Sequence, residues 1–219
     1  MLHTLRTAEP AGIRYQITFP EAGVDHLLFG WPAQVDDPLA AQIVALMRHT
    51  TAGAPIIGFA EEISDAQATG YIAELRANLA AGKIRLLTIF TGRGLLIGLC
   101  TLRRNLNPNN SHITDLAKGM IREEFRGAAV LPAAFHEIAM QCERDGVELL
   151  TLDVRAETPA YHAWKRFGFE SYGFLADYAR VKGQVLSGHF MSQKVADLKA
   201  RAVAMLEQRL VRRPEPATA

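Results

Sequence analysis

The chain has 219 residues, 49% of them hydrophobic and 21% charged, so it can bury one substantial core and carry added segments. Its 24 basic and 23 acidic side chains leave a formal net charge of +1, which excludes a general attraction to nucleic acid or to an anionic membrane. No apolar run reaches the length of a membrane span, no signal-peptide segment is seen, and the two cysteines are Cys100 and Cys142. We therefore expect a cytoplasmic protein without disulfides.

The first part of the chain is predicted to form strands and then helices. An alternating run at 13–19 (IRYQITF) predicts one or two strands in an N-terminal β-type extension, residues 1–35. A helix is expected from Asp36-Asp37-Pro38, where a capping carboxylate precedes a proline, and a second helix from Ser64 to Ala81. Two apolar runs at 84–90 and 95–102 then flank a segment with two glycines, residues 91–94. This pattern predicts a β-hairpin and not a nucleotide-binding loop.

Strand, turn and helix follow one another between residues 113 and 142. The apolar run 113–121 predicts a strand, and apolar residues spaced by three and four positions from Leu131 to Cys142 predict a helix. A turn that opens a helix presents unpaired N–H groups and the positive end of the helix dipole. We therefore predict that a pyrophosphate binds at the turn formed by Arg126, Gly127, Ala128, Ala129, Val130 and Leu131.

The remaining chain is predicted to add three strands and two helices. A buried strand at 147–154 precedes a short helix at 159–167, which ends at Gly168-Phe169. Runs at 170–179 and 184–192 predict a last hairpin, and 193–211 predicts an amphipathic helix before a flexible tail, 212–219. The apolar stripe of that helix needs cover from the domain or from a second subunit, which leaves a homodimer open.

This ordered set resembles the GNAT superfamily, the CoA-dependent N-acyltransferases. In that family the signature turn has the form R/Q-x-x-G-x-G/A and a later short helix ends in Y-x-x-x-G-F; here residues 126–131 read RGAAVL and residues 164–169 read WKRFGF. Ala129 and Leu131 thus replace glycine positions, and Trp164 replaces the tyrosine. The resemblance implies an α/β (α+β) domain at 36–192, with a mixed, mostly antiparallel central sheet flanked by helices.

The resemblance also implies a co-substrate and the residues that hold it. Acetyl-CoA or another acyl-CoA is expected, with its arm against the backbone of Met120 and Ile121 and near Thr158. The acceptor cleft of such folds lies between the first two helices and the last hairpin, so we expect aromatic residues to line it, namely Trp31, Phe59, Tyr71, Phe174 and Tyr178.

Two residues are candidates for proton transfer. Asp115 falls where several relatives carry an acidic general base, but it equally suits a strand-end carboxylate that pairs with an arginine or binds water. Tyr161 lies one helical turn before Trp164 and is the candidate for the missing phenol, because an indole N–H is no practical general acid. Tyr161 also suits simple aromatic packing on the sheet.

Other chemistries find little support. The seven histidines contain no pair at helical ligand spacing and no C-x-x-C motif is present, so we expect no metal site. We predict a GNAT-type N-acetyltransferase of the EC 2.3.1 class, which moves an acetyl or other short acyl group to an amine of a small molecule or peptide. The alternative is a non-catalytic acyl-CoA-binding or interaction module. Neither nucleic acid nor a membrane is an expected partner.

Overall fold

The computed structural model describes residues 6–9, 12–19, 23–52, 63–127 and 129–211. The strands are β1 (Arg6–Glu9), β2 (Gly12–Phe19), β3 (Gly23–Gly30), β4 (Ile84–Thr91), β5 (Leu96–Arg104), β6 (Ile113–Ile121), β7 (Leu149–Arg155), β8 (Glu170–Val181) and β9 (Gln184–Lys194). The helices are α1 (Asp37–Thr51), α2 (Asp65–Ala80), α3 (Val130–Arg144), α4 (Pro159–Arg166) and α5 (Val195–Val211).

One sheet contains all the described strands, in the order β1-β2-β3-β4-β5-β6-β7-β9-β8. Every neighbouring pair is antiparallel except β6 and β7, which run parallel because α3 crosses over between them. The predicted fold class, a mixed and mostly antiparallel sheet flanked by helices, is confirmed.

The N-terminal segment contributes three strands, where the sequence predicted one or two. β3 pairs with β4 through Leu27 to Gly30, so these strands continue the central sheet. Tyr15 of β2 is buried, and its hydroxyl donates to Glu137 Oε1 of α3 at 2.7 Å. The N-terminal strands and α3 therefore share one core.

The helices divide between the two faces of the sheet. On one face, buried side chains of β2–β7 pack with α3 and α5; we call this the first core. On the other face, α1 and α2 cover β4, β5 and Met120 of β6; we call this the second core. Asp36 caps α1 by accepting from Leu39 N at 2.8 Å, and Ser64 and Gln67 form a capping box at α2.

The C-terminal helix begins at Val195, two residues later than predicted. Gln193 and Lys194 instead extend β9, where they pair with Leu150 and Leu149 of β7. The apolar stripe of α5 packs on the same chain, with Leu198 fully buried in the first core and Lys199 Nζ 2.7 Å from Glu143 Oε2 of α3. The predicted tail, 212–219, lies outside the described residues.

Candidate functional site

A gap opens in the sheet between β6 and β7. The two strands pair over three positions, where 113–115 face 149–151. Beyond Asp115, β6 pairs only with β5, and β7 pairs only with β9 up to Arg155, among the strands that the structure describes. Backbone groups along 116–121 and 152–155 therefore line a wedge, and the edges of two diverging strands can offer hydrogen bonds to an extended ligand.

A β-bulge lies beside this gap. Leu99 of β5 faces Met120, but Thr101 faces Ala117, so β6 carries one more residue than β5 over this interval. Lys118 in the bulge has a left-handed φ of +54°, and Thr101 Oγ1 donates to Ala117 O at 2.9 Å. Burial lowers the pKa of Lys118, and the nearby Arg103 guanidinium lowers it further.

The predicted phosphate turn lies at the open end of the gap. Arg126 is exposed, and its Nε donates to Ile121 O at 3.2 Å, while Gly127 has a φ of +80° that glycine adopts without strain. Ala128 lies outside the described residues. Among the described residues, no side chain caps the N-terminus of α3, so its first N–H groups and its dipole point toward this turn.

The residues that replace the family glycines face the protein and not the turn's surface. Ala129 is the N-cap residue of α3, and its methyl group belongs to the first core. Val130 is also buried in the first core, and Leu131 packs against that core. Their side chains hold the turn to the core, and any contact with phosphate is left to the backbone.

The side chains of the strand residues assigned to the CoA arm also pack into or against the cores. Met120 lies in the second core and Ile121 packs against the first. Their backbone is therefore the part that we expect to face the gap, in line with the resemblance. Whether this backbone contacts acyl-CoA stays a prediction.

Helix α4 holds the remaining predicted residues. Thr158 caps it: its Oγ1 accepts from Tyr161 N at 3.2 Å and donates to Arg155 O at 2.9 Å. The half-buried ring of Tyr161 stacks on His189 of β9, with ring centres 4.7 Å apart. Trp164 packs against Phe135 and Phe169 in the first core, so the indole is a structural side chain.

Asp115 lies at the vertex of the gap, on the last residue where β6 and β7 pair. Its Oδ1 accepts from Thr151 Oγ1 at 3.3 Å, and its Oδ2 lies 3.4 Å from Arg103 Nη1. Burial raises the pKa of Asp115, although Arg103 opposes this shift, and Asp153 on β7 adds to it. A carboxylate with a raised pKa is a better base than an ordinary aspartate.

The polar residues around Asp115 lie on the same face of the sheet as α1 and α2, and the side chains of Arg103 and Asp115 are 56% and 33% exposed there. Leu102, Leu116 and Leu150 point into the first core, so their neighbours Arg103, Asp115 and Thr151 point to the opposite face. They border an open groove of about 310 Å³ lined by Arg103, Arg104, Asn105, Leu106, Ile113, Asp115 and Thr151.

The last hairpin extends this polar face. Tyr178 lies over Gly188, where an added Cβ would come within 2.3 Å of the ring, and its hydroxyl donates a hydrogen bond to Asp153 Oδ2. Burial and this hydrogen bond raise the pKa of Tyr178 well above its ordinary value. Phe190 pairs directly with Asp153, which places its ring on the same face.

The aromatic residues predicted for the acceptor cleft are split. Tyr178 lies on the open polar face. Tyr71 belongs to α2, where burial raises the pKa of its hydroxyl to about 12, although the Arg103 charge opposes this shift. Because successive side chains of a strand point to opposite faces, Phe174 lies on the other face of the sheet, beside His189. Trp31 packs against the first core. Phe59 lies outside the described residues.

Sequence reasoning missed Arg103, Thr151 and Asp153. The available signal was alternation: each is polar and directly follows a leucine in an apolar strand. Within the described residues, no three His, Cys, Asp or Glu side chains come together as metal ligands. None of the described helices is long and apolar enough to span a membrane.

Comparison with known proteins gives one kind of match. No protein-family model matches the chain, and neither does any curated protein sequence. Many solved structures do match.

Three similar structures are acetyltransferases by description. RimJ from Mycobacterium smegmatis, in complex with CoA-disulfide, is 18% identical with a TM-score of 0.63, over 88% of this chain and 93% of that one. A GNAT-family acetyltransferase from Streptococcus pneumoniae is 16% identical with a TM-score of 0.62, over 77% and 99%. A spermidine N-acetyltransferase, a chimera of SpeG from Vibrio cholerae and hSSAT, is 15% identical with a TM-score of 0.63, over 78% and 97%. The chain therefore has the GNAT fold.

Proposed function

We propose that this protein is an N-acyltransferase that moves an acetyl or another short acyl group from acyl-CoA to an amine. The observation that carries this proposal is the gap between the parallel strands β6 and β7, which closes at Asp115 and opens toward the uncapped N-terminus of α3. One end of the gap thus offers a carboxylate, and the other offers backbone N–H groups and Arg126.

The residues around the gap fit the chemistry of an acyl-CoA. Its pantetheine arm is long and carries amides, which match the backbone edges of 119–121 and 152–155 on the two sides of the gap. Its pyrophosphate matches the helix N-terminus and the exposed guanidinium of Arg126. The similar RimJ structure holds a CoA-disulfide, which supports the same class of ligand here.

Asp115 is our candidate for the group that removes the proton from the acceptor amine. Both of its oxygens have hydrogen-bond partners at 3.3 and 3.4 Å, longer than the usual 2.9 Å or so, so they retain capacity to accept from a water or an ammonium group. The side chain is 33% exposed, which gives solvent a path to it. The amine nitrogen bonds to the acyl carbon, the C–S bond breaks, and the amine proton passes through Asp115 to solvent.

The departing thiolate needs little help from a general acid. A thiol has a pKa of about 8.5, so a thiolate can leave unprotonated near neutral pH at low cost. Trp164 packs against the first core and has no part in this step. Tyr161, whose ring is half-buried on α4, is the candidate for a modest contribution.

The packing of Trp164 in the core is also the observation that favours the alternative, a module that binds acyl-CoA without turnover. One experiment separates the two. Purified protein is incubated with acetyl-CoA and a panel of amines, and free thiol and acylated product are measured together. Product formed in step with thiol supports the transferase, whereas saturable acetyl-CoA binding without product supports the binding module.

A further inference from the structure

The open groove beside Asp115 carries both signs of charge. Its lining includes the guanidinium-bearing residues Arg103 and Arg104 on β5, the carboxylate of Asp115 on β6 and the hydroxyl of Thr151 on β7. Leu106 and Ile113 add an apolar wall. A volume of about 310 Å³ lies at the lower end of the range for small-molecule sites, about 300–1,000 Å³, so the groove suits a compact ligand and not a long chain.

Arg103 and Asp115 form a loose pair. One contact joins them, Nη1 to Oδ2 at 3.4 Å, and it is the only hydrogen bond of the Arg103 side chain within the described residues. The pair Arg85–Asp145 of the same protein is a tight one by comparison, because two donors of Arg85 contact the two carboxylate oxygens at 2.9 and 3.0 Å. Because Arg103 is 56% exposed and uses one donor, most of its five donors remain available to a ligand.

We infer that the acceptor is a small molecule of the α-amino-acid type, whose carboxylate binds Arg103 while its amine lies at Asp115. This inference rests on the proposed acyl transfer and names the substrate class of that same site. A side-by-side guanidinium and carboxylate present a positive and a negative group a few ångströms apart. An amino acid carries the complementary pair, an ammonium group and a carboxylate on one carbon, and can contact both at once.

The Arg103 guanidinium disfavours a polyamine in this orientation. A second positive group on the acceptor, placed where an amino acid has its carboxylate, would meet Arg103 in the groove. A carboxylate meets the same cation favourably, and the fork of Arg103 matches its two oxygens. The acceptor carboxylate thus neutralises a guanidinium that would repel a second amine.

The test compares each amino acid with the same molecule lacking its carboxylate. Initial rates of thiol release are measured with acetyl-CoA and small L-amino acids, for example leucine against 3-methylbutylamine, with spermidine as a third acceptor. We expect kcat/KM for the amino acid to exceed that for the matched amine by about tenfold to a hundredfold, as a charge-assisted contact with Arg103 implies. Equal or better use of the amine or of spermidine would overturn the inference.

Variants of Arg103 isolate the carboxylate contact. Arg103→Gln should reduce kcat/KM for the amino acid about tenfold or more beyond its effect on the amine. The change in kcat/KM for the matched amine measures any effect of the substitution on Asp115. The ratio of kcat/KM for the amino acid to kcat/KM for the amine therefore measures the carboxylate contact alone. Arg103→Lys keeps the charge without the planar fork of donors, so its ratio should lie between those of the wild type and Arg103→Gln. Arg93→Gln, in the exposed turn of the β4–β5 hairpin, should leave the ratio unchanged.

The outcomes separate the two proposals. Thiol release that is fastest with amines lacking a carboxylate, or a ratio that Arg103→Gln does not alter in a folded protein, refutes the amino-acid class and leaves acyl transfer standing. Absence of thiol release with every acceptor refutes acyl transfer and this inference together. Circular dichroism and a thermal melt of each variant confirm that it is folded.

Discussion

Replacing Asp115 by asparagine should make the protein slower and more stable at the same time. Burial raises the pKa of Asp115 above its ordinary value, despite the opposing charge of Arg103. The ionised carboxylate is therefore less favourable in the folded chain than in the unfolded chain. Since the folded pKa is the higher one, the stability from this group is complete below the unfolded pKa and is lost as the pH rises through the folded pKa.

The expected signs follow from this linkage. At pH 7 to 8, Asp115→Asn removes an unfavourable buried charge and keeps an oxygen that accepts from Thr151, so the free energy of unfolding should rise. Near pH 3, below the ordinary aspartate pKa of about 3.9, Asp115 is protonated in both the folded and the unfolded state. The difference in unfolding free energy between the wild type and Asp115→Asn should then disappear. Urea denaturation of both proteins at several pH values measures this directly.

The magnitude of the activity loss follows from the geometry of the site. A positioned base contributes about 10²- to 10⁴-fold. Asp115 shares its oxygens with Thr151 and Arg103, so we expect the low end, roughly a hundredfold in kcat/KM at pH 7. The loss should shrink at alkaline pH, where the amine is already neutral.

Asp145→Asn is the matched control, and its effect on stability should have the opposite sign. Burial alone would raise the pKa of Asp145, but hydrogen bonds from Arg85 and Gln141 hold it below its ordinary value. Its stabilisation is present above the unfolded pKa and is lost as the pH falls through the folded pKa. The substitution should cost about 1 kcal/mol at pH 7, since Arg85 is 44% exposed and solvent screens the pair, and should leave kcat/KM unchanged.

Two results would refute this reasoning about Asp115. If Asp115→Asn lowered stability at pH 7 as Asp145→Asn does, the carboxylate would be a structural ion-pair partner of Arg103. If it left kcat/KM unchanged across the pH range, water alone would take the proton, and the site at the vertex of the gap would lose its base.

Three further predictions test other parts of the site and fold. Arg126→Glu should weaken CoA binding about tenfold or more, because it replaces the cation that we propose to bind phosphate by an anion; calorimetry with Arg93→Glu as control checks this, and equal affinity would move the phosphate site elsewhere. Tyr161→Phe should lower turnover at saturating acetyl-CoA by about tenfold, most strongly below the thiol pKa of about 8.5; full activity at every pH would assign the ring to packing on His189. Leu198→Ala, at a fully buried position on α5, should cost about 2–5 kcal/mol, or roughly 4–20 °C in Tm, whereas Val185→Ala, 58% exposed, should cost under about 0.5 kcal/mol; similar melting curves for both would show that α5 is not part of the core.

Local patterns carried most of the element order. The helix after Asp36, the hairpin around residues 91–94 and the strand at 113–121 follow from caps, glycines and apolar spacing, which act over a few residues. Boundaries were less exact, as at Val195, because a strand ends where its partner ends and β7 lies more than forty residues earlier in the chain. The N-terminal strands were undercounted for a similar reason, since β3 is recognisable only through its pairing with β4.

The site itself depended on contacts between distant residues. The sequence by itself determined that Asp115 lies on a strand, that Arg126 precedes a helix and that a tryptophan stands in place of the expected tyrosine. The tertiary structure decided that Arg103 faces Asp115, that β6 and β7 part just beyond that aspartate, and that the methyl group of Ala129 belongs to the core. Strand register and the point of divergence are set by the packing of whole faces against α1, α2, α3 and α5, and no local stretch of sequence encodes that packing.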